Sequence, residues 1–315
     1  MRKAFIETLM ELAAQDHRIM LLTGDLGFTV VEDFVQKFPD RFINVGVAEQ
    51  NMMGIATGLA KEGLIPFVYS IGNFAVLRPY EFIRNGLVHH HLPVRIVGIG
   101  GGFDYGPAGI THYMLEDIGV MRIHKEMPII VPADGAQLRT ALKKTWNISA
   151  PIYYRIGKSQ KGEIEALQGQ FDLGCCYKIK DGQDAVIVCL GSMTREALEA
   201  AQLLAEKNLH PAVVVVSSFN PSPDNQLMNF LQGASLVVTV EDHYITGGLG
   251  SYICELVAEH RLNCQVIRCG VKTPVKTSGS TAFMNEQHGL VAQKVAELIY
   301  QSLNNLEKWT DLSFL

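Results

Sequence analysis

Short apolar runs and helical periodicities alternate along most of the chain. Residues 19–22, 65–69, 94–99, 129–131 and 152–154 are almost wholly apolar. Runs of this length and purity fit strands buried on both faces of a parallel sheet. Helical patterns lie between them, at 2–14, 48–61, 79–90, 113–122 and 135–146. Asp134 stands directly before the last of these, where a helix N-cap is predicted. The pattern weakens over 157–183, which is richer in Gly, Gln and charge and has room for one short strand. It then restarts with strands at 184–191, 211–218, 235–242 and 265–269, and helices at 193–207, 249–260 and near 288–303. The prediction is an α/β chain of two doubly wound domains, 1–160 and a smaller 184–315, joined by a linker at 161–183.

Composition narrows the function classes. The 315 residues carry 27 basic and 32 acidic side chains, a net charge of −5. No long basic run offers a nucleic-acid footprint. No apolar run approaches the roughly 18 residues that a transmembrane helix needs. The opening segment MRKAFIETLMELAAQ has acids inside its apolar stretch. It reads as an amphipathic helix, not a signal peptide. The six cysteines lack CxxC spacing and fit reduced thiols of a cytoplasmic protein. His89, His90 and His91 are consecutive, so on a helix they point in different directions and read as solvated residues, not a metal site.

The segment NVGVAEQNMMGIATGLA (44–60) is chemically the most pointed. Glu49 opens a helix that is otherwise apolar or made of small residues. Gly46, Gly54, Ala56, Gly58 and Ala60 would let another helix approach closely. An ordinary first-turn glutamate is stabilised by the helix dipole and faces water. A glutamate packed at a close helix contact is stripped of water and able to hold a proton, a property of catalytic carboxylates.

GDLG (24–27), the Glu49 segment, PFVYSIGNF (66–74), ITHYMLED (110–117) and PIIVPAD (128–134) occur in the order of the pyrimidine-binding domain of transketolase, and VEDHYITGGLGSYICELVAE (240–259) resembles the transketolase C-terminal domain. The resemblance extends to deoxyxylulose-phosphate synthase and to the beta subunits of 2-oxo acid dehydrogenases. It covers essentially the whole chain, and the Glu49 segment is its specific part. It implies thiamine diphosphate as cofactor, with the matching glutamate bonded to N1′ of the aminopyrimidine and a two-carbon ketol unit passed from a ketose to an aldose. Phe74 then matches an aromatic residue that stacks on the pyrimidine. Arg78, Tyr80 and Phe82 are candidates to line the same cofactor pocket. His112 matches a histidine near the reacting oxygen, where an imidazole can move protons. Asp25 and Thr29 match substrate-side positions. Arg155 matches an arginine that grips a substrate phosphate. Three of these residues also have an ordinary reading: Phe74 in a core, His112 capping a helix at 113, Arg155 in a surface ion pair.

The chain departs from the family in instructive places. The GDG motif and later Asn that hold diphosphate and metal are missing, because Leu26 stands where the second Gly would be. The resemblance therefore implies the C-terminal subunit of a split transketolase. Its partner would be an N-terminal subunit that binds the diphosphate and Mg²⁺ or Ca²⁺, in an α2β2 hetero-tetramer joined through this chain. Gly100 and Ala108 replace a phosphate-binding His and a sugar-binding Asp. The loop GIGGGFDYGPAG (98–109) offers backbone N–H groups as a phosphate nest, or else the sugar or sugar-phosphate substrates differ from the usual pentose phosphates. The other readings are a 2-oxo acid dehydrogenase beta subunit and a non-catalytic scaffold. No site is assigned in the C-terminal domain.

Overall fold

The apolar runs fold as the buried strands of two sheets in the computed structural model, which describes residues 1–158 and 162–312. The expected domain boundary at 160/161 lies outside the described residues. The first sheet gathers β1 (Ile19–Thr23), β2 (Phe42–Asn44), β3 (Ile65–Ile71), β4 (Arg95–Ile99), β5 (Ile129–Ile130) and β6 (Ile152–Ile156). The second gathers β7 (Cys176–Lys180), β8 (Val186–Leu190), β9 (Ala212–Val216), β11 (Leu236–Tyr244) and β12 (Gln265–Val271). A short β10 (Ser218–Phe219) leaves the second half of the chain and joins the first sheet. The orders are β10-β5-β6-β4-β3-β1-β2 and β12-β11-β8-β9-β7. All pairings are parallel except β10 with β5 and β7 with β9, both at sheet edges. Strand β7 falls inside the connector, where the sequence left room for one strand.

Helices cover both faces of the first sheet. In chain order they are α1 (Arg2–Gln15), α2 (Glu32–Lys37), α3 (Glu49–Lys61), α4 (Gly72–Val76), α5 (Tyr80–Phe82), α6 (Asp117–Arg122) and α7 (Gly135–Thr145). The second half adds α8 (Thr194–Ala205), α9 (Asp224–Leu231), α10 (Leu249–Glu259), α11 (Thr281–Gln287) and α12 (Ala292–Leu312). Alternate strand residues go to opposite cores. Ile19 and Leu21 pack with α1 and α7, while Met20 and Leu22 pack with α3. Two-sided burial is why these strands read as continuous apolar runs. Asp134 caps α7 as predicted, with Oδ1 accepting the Gln137 N–H at 2.8 Å. Buried Arg95 gathers the chain leaving α7 by donating to the carbonyls of Trp146, Ile148 and Ala150.

Two predicted helices change form. The stretch at 79–90 is the short α5 followed by a π-helical turn over Ile83–Val88. The stretch at 113–122 becomes helical only at Asp117. Before it, Met114 exchanges both backbone hydrogen bonds with Gly102, at 2.9 and 3.0 Å. A residue bonded across to another loop cannot also close a helical turn.

The sheets are firmly docked. Met114, Ile118, Met127 and Phe219 share one core cluster with Val188, Val214, Tyr252 and Ile253. Arg122 grips Glu255 with two bonds of 2.7 Å. Asn220 donates to the carbonyls of Arg122 and His124. Among the described residues no helix is long and apolar enough to cross a membrane.

Candidate active site

Strands β1, β3 and β4 end at one edge of the first sheet, and the loops that follow them build the site. Asn44 at the end of β2 organises two of these loops. Its Oδ1 accepts the N–H groups of Asp25 and Gly46, each at 3.0 Å. The second contact sets the turn that leads into α3.

Glu49 is the first residue of α3, at the positive end of the helix dipole. Its side chain is only 1 % exposed. A solvated first-turn glutamate is thereby excluded. Its Oε2 accepts a 2.5 Å bond from Arg78 Nη1. The Arg78 guanidinium lies on Phe74, 4.3 Å from the ring centroid. Phe74 in turn meets the His112 ring edge-on, with centroids 5.1 Å apart. Phe74 is half-buried, held between Arg78 and His112, and is not a fully buried core side chain. Asn73 Nδ2 donates to the Thr111 carbonyl at 2.5 Å, tying α4 to the His112 loop. His112 Nδ1 lies 3.0 Å from Thr111 Oγ1. Because residues 113–116 are not helical, His112 caps no helix at 113.

Glu49, Arg78, Phe74 and His112 thus form one contact chain. Asp25 and Thr29 stand exposed on the loop after β1, both with left-handed backbone, at φ 56° and 66°. Two cofactor-pocket candidates are not brought in. Tyr80 turns its hydroxyl to His124 Nε2, at 2.9 Å. Phe82 is 41 % exposed and makes no ring contact among the described residues.

Arg155 requires a correction. It is buried, so it is neither a surface ion pair nor a free phosphate ligand. Nε donates to Asp117 at 2.8 Å and Nη1 to Asp242 at 2.6 Å. Nη2 donates to the carbonyls of Met114 and Asp242, at 3.0 and 2.9 Å. Burial pulls its pKa down, but the Asp117 and Asp242 carboxylates more than offset this and hold it above the ordinary arginine value. Every guanidinium nitrogen is engaged, and Nη1 and Nη2 reach across to the second sheet.

The glycine-rich loop also differs from expectation. Its N–H groups at Gly100, Gly102, Asp104 and Gly106 already donate to carbonyls of Ile156, Met114, Gly101 and Phe103. They are not a free phosphate nest. The glycines serve close packing instead. A Cβ on Gly101 would stand 2.6 Å from the Arg155 guanidinium carbon, and one on Gly102, at φ +60°, would stand 2.7 Å from Asp242 Cβ.

Sequence reasoning missed Asp117 and Asp242, though both lie inside segments that it quoted. It also missed Glu241. That buried carboxylate accepts the N–H groups of Leu249 and Gly250, at 2.7 and 2.8 Å, and so caps α10. Burial pushes its pKa up to about 7 against those backbone bonds. The signal was an acid on a strand just before a Gly-Gly-x-Gly turn. Only the fold brings its partners to it.

Comparison with known proteins agrees with the layout. The family model for the transketolase pyrimidine binding domain matches residues 1–162, and that for the transketolase C-terminal domain matches 174–295. A putative transketolase C-terminal section of Methanocaldococcus jannaschii is 34 % identical over 306 residues, 96 % of each chain. One of the subunits of an apulose-4-phosphate transketolase from Phocaeicola vulgatus is 34 % identical over 268 residues, 84 % of this chain and 86 % of that one. A solved structure described as a split gene transketolase in an inactive beta4 tetramer superposes with a TM-score of 0.85 at 35 % identity, covering 96 % of this chain and 97 % of that one.

Proposed function

The chain belongs to the transketolase family, and from that premise we propose that it is the pyrimidine-binding subunit of a split, thiamine-diphosphate-dependent transketolase. Its reaction passes a two-carbon ketol unit from a ketose to an aldose. The observation that carries this reading is the buried Glu49 carboxylate at a helix start, linked through Arg78 to the Phe74 ring and within one contact chain of His112. A buried carboxylate and an aromatic face fit an aminopyrimidine: one pairs with a ring nitrogen, the other stacks.

Bound thiamine diphosphate would supply a carbon nucleophile that no side chain provides. The residues of this chain hold and tune it. Glu49 holds a proton at N1′ of the pyrimidine. Phe74 orients the ring. His112 carries a proton to or from a substrate oxygen, and exposed Asp25 and Thr29 meet substrate hydroxyls.

The site is half a site, and a partner is part of the proposal. Phe28, Val47 and Ile110 are 71 %, 72 % and 65 % exposed, on loops that surround Glu49 and His112. Gly54 and Gly58 on α3 are exposed, and among the described residues a Cβ on either would meet nothing within 4 Å. Nothing among those residues requires glycine there, whereas a close neighbour across α3 would. An N-terminal subunit that brings the diphosphate and Mg²⁺ or Ca²⁺ fits the open face, and an α2β2 assembly joined through this chain fits the α3 stripe.

The substrate also deviates from the pentose-phosphate pattern. Arg155 is turned into the sheet junction, and Gly100 carries no side chain to grip a phosphate. We therefore expect a ketose or acceptor whose far end is held by other means. Two experiments test the reading. Calorimetric titration of the reconstituted pair with thiamine diphosphate and Mg²⁺ should show binding, and its absence overturns the cofactor assignment. A donor and acceptor screen should find low efficiency with xylulose 5-phosphate and ribose 5-phosphate; full efficiency overturns the substrate assignment.

A further inference from the structure

Arg78 touches both residues that the cofactor reading assigns to the pyrimidine. Its guanidinium lies over Phe74, 4.3 Å from the ring centroid, and one of its N–H groups donates to Glu49 at 2.5 Å. An aminopyrimidine held by the same two residues would be a flat, hydrogen-bonding ring stacked on Phe74 and bonded to Glu49. We propose that Arg78 is an internal stand-in for the pyrimidine, filling the seat in the unpartnered chain and swinging out when the cofactor arrives. The inference rests on the cofactor reading above and goes beyond it, because it makes Arg78 a competitor for the seat and not a ligand in it.

Three observations support a movable occupant. The Arg78 side chain is 42 % exposed, so it leaves toward solvent without opening a core. Its ion-pair partner is 1 % exposed and sits at the start of a 13-residue helix, so Glu49 stays in place when Arg78 goes. Arg78 lies beyond the end of α4 at Val76, where the backbone is not held within a long helix. The physical reason for an occupant is also local. A buried carboxylate without a partner is costly, and in the chain before assembly Arg78 meets that need. An arginine is suited to the task because its flat cation both stacks on an aromatic ring and bonds a carboxylate.

The consequence is a fixed relation between Arg78 and affinity. When the binding-competent form is only part of the population, apparent affinity falls by that fraction. If Arg78 fills the seat in about nine of ten molecules, its removal raises affinity about tenfold. The probe is 4-amino-5-hydroxymethyl-2-methylpyrimidine, the pyrimidine half of thiamine, titrated into the full chain by calorimetry or ligand-observed NMR. Arg78→Met should bind it about tenfold tighter than the natural chain. Arg78→Lys, which keeps a cation for Glu49, should fall between them, and Glu49→Gln should bind it worst. Circular dichroism establishes that each variant is folded, and Arg78→Gln replaces Arg78→Met if the latter is not. Binding by Arg78→Met that is equal to or weaker than that of the natural chain overturns the inference. If the reconstituted pair nonetheless binds thiamine diphosphate, the cofactor reading survives that result. If the pair binds none, both fall.

Discussion

At the scale of single residues, chemistry is concentrated where burial and charge conflict. Glu49 is the clearest case, a carboxylate almost without solvent whose side chain pairs with an arginine on an aromatic ring. Glu49→Gln keeps the shape and one acceptor oxygen but cannot hold and return a proton. Turnover of the assembled enzyme should fall by about 10²- to 10⁴-fold, the usual worth of a positioned acid–base group. The thermal midpoint of the lone chain should move little. Steady-state kinetics and a melting curve on the same preparation decide it; turnover near the natural level removes Glu49 from the chemistry. Glu49, Phe74 and His112, each picked from a distinctive local segment, lie in one contact chain through Arg78. Arg155 was legible only as an arginine at a strand end. Its role depends on Asp117 and Asp242, which are 38 and 87 residues away in the chain, and no local pattern reports such a pairing.

At the scale of elements, strands were easier to read than helix boundaries. Runs such as 94–99 are apolar because both sheet faces are covered, and that pattern survives in a single sequence. The start of α6 was misplaced because tertiary bonds override helical periodicity: Met114 pairs with Gly102 instead of closing a turn. Helix α2 and strand β10 are too short to show a period at all. Helix α10 gives a prediction of its own. Its cap Glu241 has a pKa raised from 4.5 to about 7 by burial. The folded chain therefore holds that proton more tightly than the unfolded chain. The stabilisation is complete below the unfolded value and is lost as pH rises through the folded one. Stability should decline between about pH 4.5 and 7, by at most about 3 kcal/mol from this group. Glu241→Gln should flatten that slope even where it lowers stability throughout, since an amide cannot accept both the Leu249 and Gly250 N–H groups. Urea unfolding at pH 5 and pH 7.5 measures the slope, and an unchanged slope in the variant rules out Glu241 as its source.

At the scale of the molecule, the two sheets behave as one unit because a buried ionic junction lies between them. Arg155 from β6 reaches Asp117 at the start of α6 and Asp242 on β11, and Tyr153 also donates to Asp117 at 2.6 Å. The junction has two consequences. It fixes the second sheet to the first, and through the Met114 carbonyl it anchors the strand-like segment that follows His112. Removing Asp242 leaves the charge of Arg155 balanced by Asp117 but strips a buried guanidinium N–H of its acceptor. Asp242→Ala should therefore cost about 1–3 kcal/mol. It should also split a single unfolding transition into two, as the sheets come apart before either melts. Replacing Arg155, Asp117 and Asp242 together by apolar residues of similar volume should cost less than the single change, because no buried guanidinium is then left short of an acceptor. Scanning calorimetry and denaturant unfolding of both variants test this. A single-site cost below about 1 kcal/mol would show that the junction carries little of the fold. The same variants read out function. Asp242 lies on β11, outside the Glu49–Phe74–His112 contact chain, and its shortest link to that chain runs through Arg155 and the Met114 carbonyl to the His112 loop. Such a variant, studied below its unfolding temperature, should lower kcat while leaving the affinity for thiamine diphosphate close to natural. Equal losses in both would mean that the whole site, and not the His112 loop alone, depends on the second sheet.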